Sequence, residues 1–392
     1  MTDKKSKKIA VLTGIHYPDI GGPASFIKSV ISDIATDYDV RVVSYSNYSR
    51  VAGDEKLSYK LTRVLRTKLK IFGHIAYLFN CLRVARSTDV VLALSAMNAG
   101  IAGVVASRLF KKPLIIRVVG DYAWETAMNR RATSFLLDDF QKEPKKGWIG
   151  ILHKIQVYVC NYSDKIIVPS EYLKKIVSGW GVSVSKIAVI NNGVHQVSLD
   201  ISQEDARKEI GISGRIILSI GRLVPWKGHR MLIKIMPTLL QWDSYTRLII
   251  IGDGPDEKML QSMIVNMGLD RKVFLVGKKN HNEVIKYLKA SDVFALHTGY
   301  EGFSHQIVEV MSAGVPIVTT NIGGNPEIIT SGKNGFLVGY NDEFELVESI
   351  RSILQSESLR DQFVIEGLKT ASQFTVRRTV DKVKSLLNSI LI

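Results

Sequence analysis

The sequence is poor in cysteine and has no low-complexity segment. Its 392 residues include two cysteines, Cys81 and Cys160, which do not form a CxxC pair. A disulfide framework is therefore not indicated, and the cysteine content suits a reducing cytoplasm. Hydrophobic residues make up 46% of the chain and charged residues 23%. This composition is typical of a folded globular protein, and the length is sufficient for two domains.

Long apolar runs are also missing. Residues 9–15 form an apolar run of seven residues after a basic start. No small-residue cleavage site follows, so a first β-strand is a better interpretation than a signal peptide. Residues 90–109 are mostly apolar, but Ser95 and Asn98 interrupt them. We therefore expect a strand, a loop and a helix there instead of a membrane-spanning helix.

Acidic residues are scarce in the first half of the chain. Residues 1–195 contain 29 Lys and Arg against 15 Asp and Glu, a formal charge of +14, whereas residues 196–392 have 23 against 22, or +1. The first half should therefore favour an anionic partner. An anionic membrane surface fits best, because the sequence has no nucleic-acid-binding motif. This predicts a cytoplasmic protein that is peripheral on the inner face of the membrane.

Two segments of the first half are harder to assign. Residues 56–86 interleave basic and apolar side chains. They are either a domain helix with a solvated basic face or a surface helix against anionic lipid, and both interpretations stay open. Residues 129–150 have no clear hydrophobic period and predict a long loop.

Short β-branched runs alternate with helical segments in both halves. Strands are predicted in the first half at residues 8–15, 39–46, 89–94, 113–120 and 164–170. They are predicted in the second half at residues 214–223, 247–255, 272–279, 292–299 and 315–320. The alternation predicts an α/β protein with two parallel, Rossmann-like domains, residues 1–195 and 196–375, facing each other across a cleft. Ligands are expected at the carboxyl ends of the strands.

The stretch EGFSHQIVE, residues 301–309, combines features of a ligand site. Ser304 is a suitable N-cap, so Glu301 is expected in the loop before a helix and Glu309 inside it. The N–H groups near Phe303 and Ser304 suit a phosphate. Two carboxylates beside a phosphate would repel it unless they bind other groups. Sugar hydroxyls are the natural candidates.

Basic and glycine-rich turns follow other predicted strands. Arg222 leaves a strand end and Lys227 follows shortly after. A guanidinium and an ammonium at one place suit a pyrophosphate. The turn at residues 252–254 would let a base or ribose approach the backbone. The Gly-Gly pair at 21–22 precedes a helix and is either an anion site or only a tight turn.

Six motifs together carry a family resemblance. They are GGPASF (21–26), INNGV (190–194), GRLVPWKG (221–228), GDGP (252–255), EGFSHQIVE (301–309) and GGNPEII (323–329). In this order they resemble the retaining glycosyltransferases of family 4, which have the GT-B fold. The resemblance covers nearly the whole chain. It also implies that residues 376–392 form a C-terminal helix that crosses back to the N-terminal domain.

The resemblance implies a function for each site residue. Arg222 and Lys227 would hold the donor diphosphate and stabilise the leaving group, Glu309 would bind the ribose hydroxyls, and Glu301 would face the transferred sugar. No metal and no other cofactor is expected, because these cations and helix N-termini meet the diphosphate charge. The full implied donor-binding set is Gly21, Gly22, Arg222, Lys227, Gly252, Asp253, Gly254, Glu301, Gly302, Phe303, Ser304 and Glu309.

The chain departs from the family pattern after the fourth predicted strand. Many family members have a histidine there, near the reaction centre, whereas this chain has Asp121 at about that place. Asp121 would either act in catalysis, by orienting the acceptor hydroxyl or accepting its proton, or cap the next helix. Both interpretations stay open. His16, near the end of the first strand, is a further candidate for the cleft.

The predicted activity is hexosyl transfer, with retained configuration, from a nucleotide diphosphate sugar to a glycan or lipid-linked glycan. Polysaccharide or glycolipid assembly would require such a transfer. The main alternative is a sugar-nucleotide epimerase of the same fold. An NAD-dependent Rossmann oxidoreductase is disfavoured, because no GxGxxG motif follows the first strand.

Overall fold

The computed structural model describes residues 7–19, 21–195, 197 and 200–391. The chain divides into two compact units, Met1–Asn191 with Val376–Ile392, and Asn192–Thr375. The predicted division between residues 195 and 196 lies slightly further along the chain. Both cysteines are buried and free.

The first unit contains a parallel sheet of seven strands in the order β3-β2-β1-β4-β5-β6-β7. Its strands are β1 Lys8–Thr13, β2 Asp39–Ser46, β3 Lys60–Leu65, β4 Val90–Ala93, β5 Leu114–Arg117, β6 Lys165–Val168 and β7 Ile187–Val189. The strand order reverses between β1 and β4, which is the topological switch point of the sheet. The five strands predicted for this half are confirmed, although most are shorter than expected.

In the described part of the first unit, eight α-helices connect these strands. They are α1 Gly22–Phe26, α2 Ser32–Ile34, α3 Lys70–Ala85, α4 Asn98–Phe110, α5 Tyr122–Asn129, α6 Leu137–Lys142, α7 Gly147–Tyr162 and α8 Glu171–Gly179. A π-helical turn, Ile27–Ile31, joins α1 to α2. Crossovers between parallel strands are right-handed, so the direction of each step along the sheet decides which face its helices cover. The crossovers β3–β4, β4–β5 and β5–β6 step in the same direction, and they place α3, α4 and α7 on one face of the sheet. The β1–β2 crossover steps the other way and places α1 and α2 on the opposite face.

The second unit has a parallel sheet of six strands in the order β10-β9-β8-β11-β12-β13. Its strands are β8 Arg215–Ile220, β9 Thr246–Ile251, β10 Val273–Leu275, β11 Val293–Leu296, β12 Ile317–Thr320 and β13 Phe336–Val338. Its helices are α9 Gln203–Ile210, α10 His229–Lys234, α11 Met236–Trp242, α12 Glu257–Asn266, α13 His281–Ala290, α14 His305–Ser312, α15 Glu343–Gln355 and α16 Glu357–Ala371. The five strands predicted here are also confirmed.

Both faces of the second sheet are covered, as the continuous apolar strands predicted. Along β9, Leu248 and Ile250 belong to one buried cluster, whereas Ile249 and Ile251 belong to another. This alternation with a period of two is the signature of a strand buried on both sides.

The last helix, α17 Val376–Ile390, packs in the first unit. Val380, Val383 and Leu387 join the same buried cluster as Phe26 and Ile27. Two polar contacts at its edge also tie it to this unit, Lys384 Nζ to Asp37 Oδ2 at 2.6 Å and Tyr38 Oη to Asn388 Oδ1 at 2.6 Å.

Residues 56–86 do not form a single helix, so that prediction is wrong in its first half. Residues 60–65 are strand β3, paired with β2, and α3 begins only at Lys70. The basic residues of β3 do not lie on one solvated face: Arg63 is buried and pairs with Asp54 at 2.7 Å. The segment Lys-Leu-Thr-Arg-Val-Leu alternates with a strand period, which the helical interpretation overlooked.

Residues 129–150 are not a long loop either. They contain α6 and the start of α7. Leu137 and Phe140 are buried, and the indole N–H of Trp124 donates to the carbonyl of Phe135 at 2.9 Å. The segment packs against the unit with too few apolar residues to show a period. The short strands β7 and β13, of three residues each, were also missed.

Candidate functional site

The predicted donor residues of the second unit surround its topological switch point. The strand order reverses between β8 and β11. The loop after β8 carries Arg222 and Lys227, and the loop after β11 carries Glu301. In open parallel sheets, ligands bind at this position, outside the carboxyl ends of the strands.

The loop after β8 is fixed to the turn after β9. The N–H of Leu223 donates to the carbonyl of Asp253 at 2.8 Å, and the carbonyl of Leu223 accepts from the N–H of Asp256 at 3.0 Å. A Cβ at Gly252 would lie 1.8 Å from the carbonyl oxygen of Gly221. Only glycine allows this approach, so the turn at residues 252–254 supports the backbone that leads to Arg222.

The same loop is fixed on its other side to residues 297–299. The carbonyl of Trp226 accepts from the N–H of Gly299 at 2.6 Å and from Thr298 Oγ1 at 3.1 Å. Gly228 has φ 72°, and a Cβ there would lie 1.8 Å from the carbonyl oxygen of His297. These contacts hold Lys227 between two neighbouring strand ends.

Lys227 and Glu301 meet in the structure. Lys227 Nζ donates to Glu301 Oε1 at 2.5 Å, and the two side chains are 18% and 10% exposed. A pair this buried gains more from Coulomb attraction than a surface pair, and losing either partner leaves a poorly solvated charge. Arg222 is exposed and forms no ion pair with any residue that the structure describes.

The loop that carries Glu301 is supported by residues 323–325. The N–H of Gly324 donates to the carbonyl of Glu301 at 2.8 Å. Gly323 has φ 61°, and a Cβ there would lie 2.2 Å from the same carbonyl oxygen. Asn325 Nδ2 donates to Thr320 O at 3.1 Å and anchors this support to the end of β12. Sequence reasoning identified the motif but gave it no function.

Helix α14 begins as predicted. Ser304 is its N-cap, and Ser304 Oγ accepts from the N–H of Ile307 at 3.3 Å. Phe303 is buried, and its ring lies 5.2 Å from that of Phe374, edge to face. This packing fixes the position where the Glu301 loop enters the helix.

Glu309 lies within α14, and its partner is His281. Glu309 Oε1 lies 3.2 Å from His281 Nδ1, at the start of α13. Burial raises the pKa of the Glu309 carboxyl, and the neighbouring His281 partly opposes this. His281 was not predicted as a site residue, and no sequence motif distinguishes it from a surface histidine.

Two further buried histidines line the same strand ends. His229 follows Lys227 closely, and its Nδ1 lies 3.4 Å from Ser219 Oγ, while Nε2 has no hydrogen-bond partner among the described residues. Burial and the charge of Lys227 lower the pKa of His229 to about 4. His297 Nε2 accepts from the N–H of Asn341 at 2.9 Å, so the proton of the neutral ring is on Nδ1. In the sequence, the one sign that these two histidines belong to the site was their position at or shortly after the carboxyl ends of predicted strands.

Asp121 of the first unit caps helix α5. Its carboxylate is fully buried and accepts from the N–H of Trp124 at 3.0 Å and from the side-chain amides of Gln156 and Gln141, each at 2.9 Å. The helix-cap interpretation is confirmed. Three hydrogen-bond donors fix the orientation of this carboxylate. The proposed catalytic function of Asp121 stays a prediction.

The other predicted residues of the first unit lie near its switch point. Gly21 precedes α1 and Gly22 is its first residue, without a side-chain cap. His16 is buried, and its Nε2 lies 2.8 Å from Tyr59 Oη. Across the part of the chain that the structure describes, no three His, Cys, Asp or Glu side chains group as a metal site. The expected independence from metal stays a prediction.

Two family profiles match the chain. The profile described as Glycosyl transferases group 1 matches residues 202–370, and that of Glycosyltransferase Family 4 matches residues 20–196. An uncharacterised glycosyltransferase of Methanocaldococcus jannaschii is 24% identical over 387 residues, 97% of this chain and 98% of that protein. A UDP-Gal:alpha-D-GlcNAc-diphosphoundecaprenol alpha-1,3-galactosyltransferase of Escherichia coli is 25% identical over 308 residues, 76% of this chain and 74% of that protein.

Solved structures are also similar. HepE of Anabaena, in complex with UDP and glucose, superposes with a TM-score of 0.80 at 21% identity, covering 98% of this chain and 100% of that one. Sucrose-phosphate synthase of Thermosynechococcus elongatus has a TM-score of 0.82 at 15% identity, covering 98% of both chains. At these identities the likeness shows the fold alone, and it agrees with the two parallel sheets.

Proposed function

This chain is a hexosyltransferase that belongs to glycosyltransferase family 4 and has the GT-B fold, and we propose that it transfers its sugar with retained anomeric configuration. The acceptor that we propose is a glycan or a lipid-linked glycan, in polysaccharide or glycolipid assembly. Support comes from the Escherichia coli relative, whose name specifies a diphosphoundecaprenol acceptor.

The observation that carries the proposal is the contact between Lys227 and Glu301 at the switch point. A diphosphate needs a cation, and a sugar needs hydrogen-bond acceptors for its hydroxyls. This contact supplies one of each from two neighbouring strand ends. Before the donor binds, Glu301 neutralises Lys227; a bound diphosphate would become a second anionic partner of the ammonium.

The remaining donor residues extend the site around this pair. Arg222 is exposed on the same loop as Lys227 and would add a fork-shaped cation to the diphosphate. As the bond between sugar and diphosphate breaks, negative charge grows on the departing phosphate, and Lys227 and Arg222 stabilise it electrostatically. Glu309 accepts from the ribose hydroxyls in place of His281. We propose that these cations replace a metal ion and that the enzyme needs no other cofactor.

The donor nucleotide is tested by a thermal-shift panel with UDP, GDP, ADP and NAD, each with magnesium and with EDTA. UDP is the first candidate, since HepE is described with UDP bound. The expected result is a shift with one diphosphate nucleotide that EDTA does not remove. A shift with NAD alone would overturn the proposal, and a shift that requires magnesium would overturn the metal-free part.

The reaction is tested with the nucleotide sugar that the panel selects, carrying a radiolabel in the sugar. Transfer predicts label in a new glycan or lipid product. Label that stays in an isomerised nucleotide sugar would instead support the epimerase. Lys227→Ala should lose turnover, whereas Lys258→Ala, an exposed lysine of α12 in the same unit, should not.

We further propose that the enzyme works in the cytoplasm, peripherally on the inner membrane face. The charge of +14 over residues 1–195 supports this location. None of the described helices is long and apolar enough to cross a membrane.

A further inference from the structure

Three neighbouring helices of the first unit present apolar side chains outward. Helix α4 contacts α3 on one side and α7 on the other, and all three cover the same face of the sheet. Their outward apolar residues are Ile71, Phe72, Ile75 and Phe79 of α3, Ile101, Val105 and Leu109 of α4, and Ile151 and Tyr158 of α7. We refer to this set as the outer apolar face.

Several large apolar side chains of this face are mostly exposed to water, although a water-facing helix surface is usually polar. Phe72 is 59% exposed, Phe79 65%, Leu109 62% and Ile151 60%. They recur at helical spacing, so each helix carries a stripe and not a single exception. Exposed apolar stripes on three neighbouring helices of a folded unit mark an interaction surface.

The outer apolar face lacks acidic residues. Helices α3, α4 and α7 have 16, 13 and 16 residues, and none of these is Asp or Glu. Cations accompany the stripes within the helices and at their ends, namely Lys68, Lys70, Arg83, Arg86, Arg108, Lys111, Lys112 and Lys154. None of these eight pairs with a carboxylate in the described residues.

One end of this surface forms an open depression lined by cations. A cavity of about 430 Å³ at the C-terminal end of α4 is lined by Arg108, Lys111 and Lys112, together with Tyr162. The guanidinium of Arg108 stacks over the Tyr162 ring at 4.6 Å, which holds it at the rim. Asp164 also lines the cavity, and its carboxylate accepts from the N–H of Leu114 at 2.7 Å, so the lining holds three cations and one anion.

We propose that the outer apolar face docks onto an anionic lipid bilayer, with the aromatic and aliphatic side chains in the interface and a lipid phosphate at Arg108, Lys111 and Lys112. Apolar insertion together with basic flanks is the pattern of interfacial helices. Charge decides between lipid and a second copy of this chain, because pairing two such faces would bring their cations together. The docking inference rests on the proposed function in one respect: docking would bring the enzyme to the membrane-embedded acceptor that we propose.

The experiment is co-sedimentation of the full chain with vesicles of phosphatidylcholine alone, or of equal parts phosphatidylcholine and phosphatidylglycerol. We expect binding to the anionic vesicles that falls with added salt, and at least tenfold weaker binding to the neutral ones. Phe72→Ser/Phe79→Ser should weaken anionic binding at least tenfold. The matched control is Phe344→Ser, since Phe344 is 78% exposed on α15 of the other unit, and it should bind as the unaltered chain does.

Lys111→Glu/Lys112→Glu tests the phosphate position and should lower anionic binding while leaving the weak neutral binding unchanged. Equal binding to both vesicles, or full binding by Phe72→Ser/Phe79→Ser, would overturn the proposal. So would a dimer in solution, abolished by Phe72→Ser/Phe79→Ser, with no vesicle binding. Binding of the panel nucleotide without vesicles should be the same in every variant. If that binding is missing in the unaltered chain, the proposed function fails while the docking result still stands.

Discussion

We propose two functions for Lys227, the ion pair with Glu301 and the binding of the donor diphosphate, and a double-mutant cycle with Glu301 separates them. Lys227→Ala leaves the Glu301 carboxylate without its partner at 10% exposure. Removing one partner of a fully buried pair costs about 3–5 kcal/mol, and exposed pairs are worth 0–1. For this largely buried pair we expect a loss of about 2–3 kcal/mol in the free energy of unfolding. In a unit of this size, that lowers Tm by roughly 4–12 °C.

The cycle then adds Glu301→Gln, which removes the unpaired charge. The double variant Lys227→Ala/Glu301→Gln should recover at least half of the lost Tm in differential scanning calorimetry. It should not recover donor affinity, because the cation that we propose for the diphosphate is still missing. A lost charged hydrogen bond costs about 1.5–3 kcal/mol, or roughly 10- to 150-fold in Kd, measured by calorimetric titration with the nucleotide from the panel.

Two results would refute this reasoning. If Glu301→Gln recovers no Tm in the Lys227→Ala background, the ion pair is not the source of the instability. If it recovers donor affinity together with Tm, Lys227 affects the donor through folding and not through contact. Glu301→Gln alone should keep nucleotide affinity, since it leaves the ammonium free for phosphate, but should lose turnover.

Three other predictions follow from the site. Glu309→Ala should weaken nucleotide binding by about 1.5–3 kcal/mol, and an unchanged Kd in titration would remove Glu309 from the ribose site. Because burial holds the pKa of His229 near 4, the unfolded chain takes up a proton below pH 6.5 that the folded one does not. Stability should therefore fall by up to about 3 kcal/mol between pH 6.5 and 4; a His229→Gln variant with the same Tm profile against pH would contradict this. Asp121→Asn should lower the acceptor-dependent rate without changing donor Kd, and a normal rate would leave Asp121 as a helix cap only.

The sequence predicted the fold well where its apolar runs were long. All ten predicted strands are present, because a β-branched strand buried on both faces leaves a continuous apolar signature such as Leu248–Ile251. Strand β3 was missed because only Val64 of its six residues is fully buried, and its charged residues resembled a basic helix. The three-residue strands β7 and β13 are too short for any periodic signal.

The site was predicted in its residue types but not in its contacts. The alternation of strands and helices placed Lys227 and Glu301 after the carboxyl ends of two strands of one sheet, but it did not show that these strands are neighbours. Their ion pair could not be predicted, because it depends on how Trp226 and Gly324 fix the two loops. His281 is 28 residues before Glu309, and the strands that precede their helices, β10 and β11, are separated in the sheet by β9 and β8, so the strand pattern gave no sign of this contact.

The charge asymmetry shows most clearly what the fold adds to the sequence. An excess of +14 predicted an anionic partner for the first half, but it could not indicate which surface would meet it. Three consecutive right-handed crossovers place α3, α4 and α7 side by side, so stripes that are far apart in the chain become one face. The fold therefore places part of the positive charge excess beside the outer apolar face. If it acted only through the net charge, a charge reversal anywhere in the first unit would weaken vesicle binding equally. Lys28→Glu, in the π-helical turn on the opposite face of the sheet, should weaken it far less than Lys111→Glu, and equal losses would contradict the docking surface.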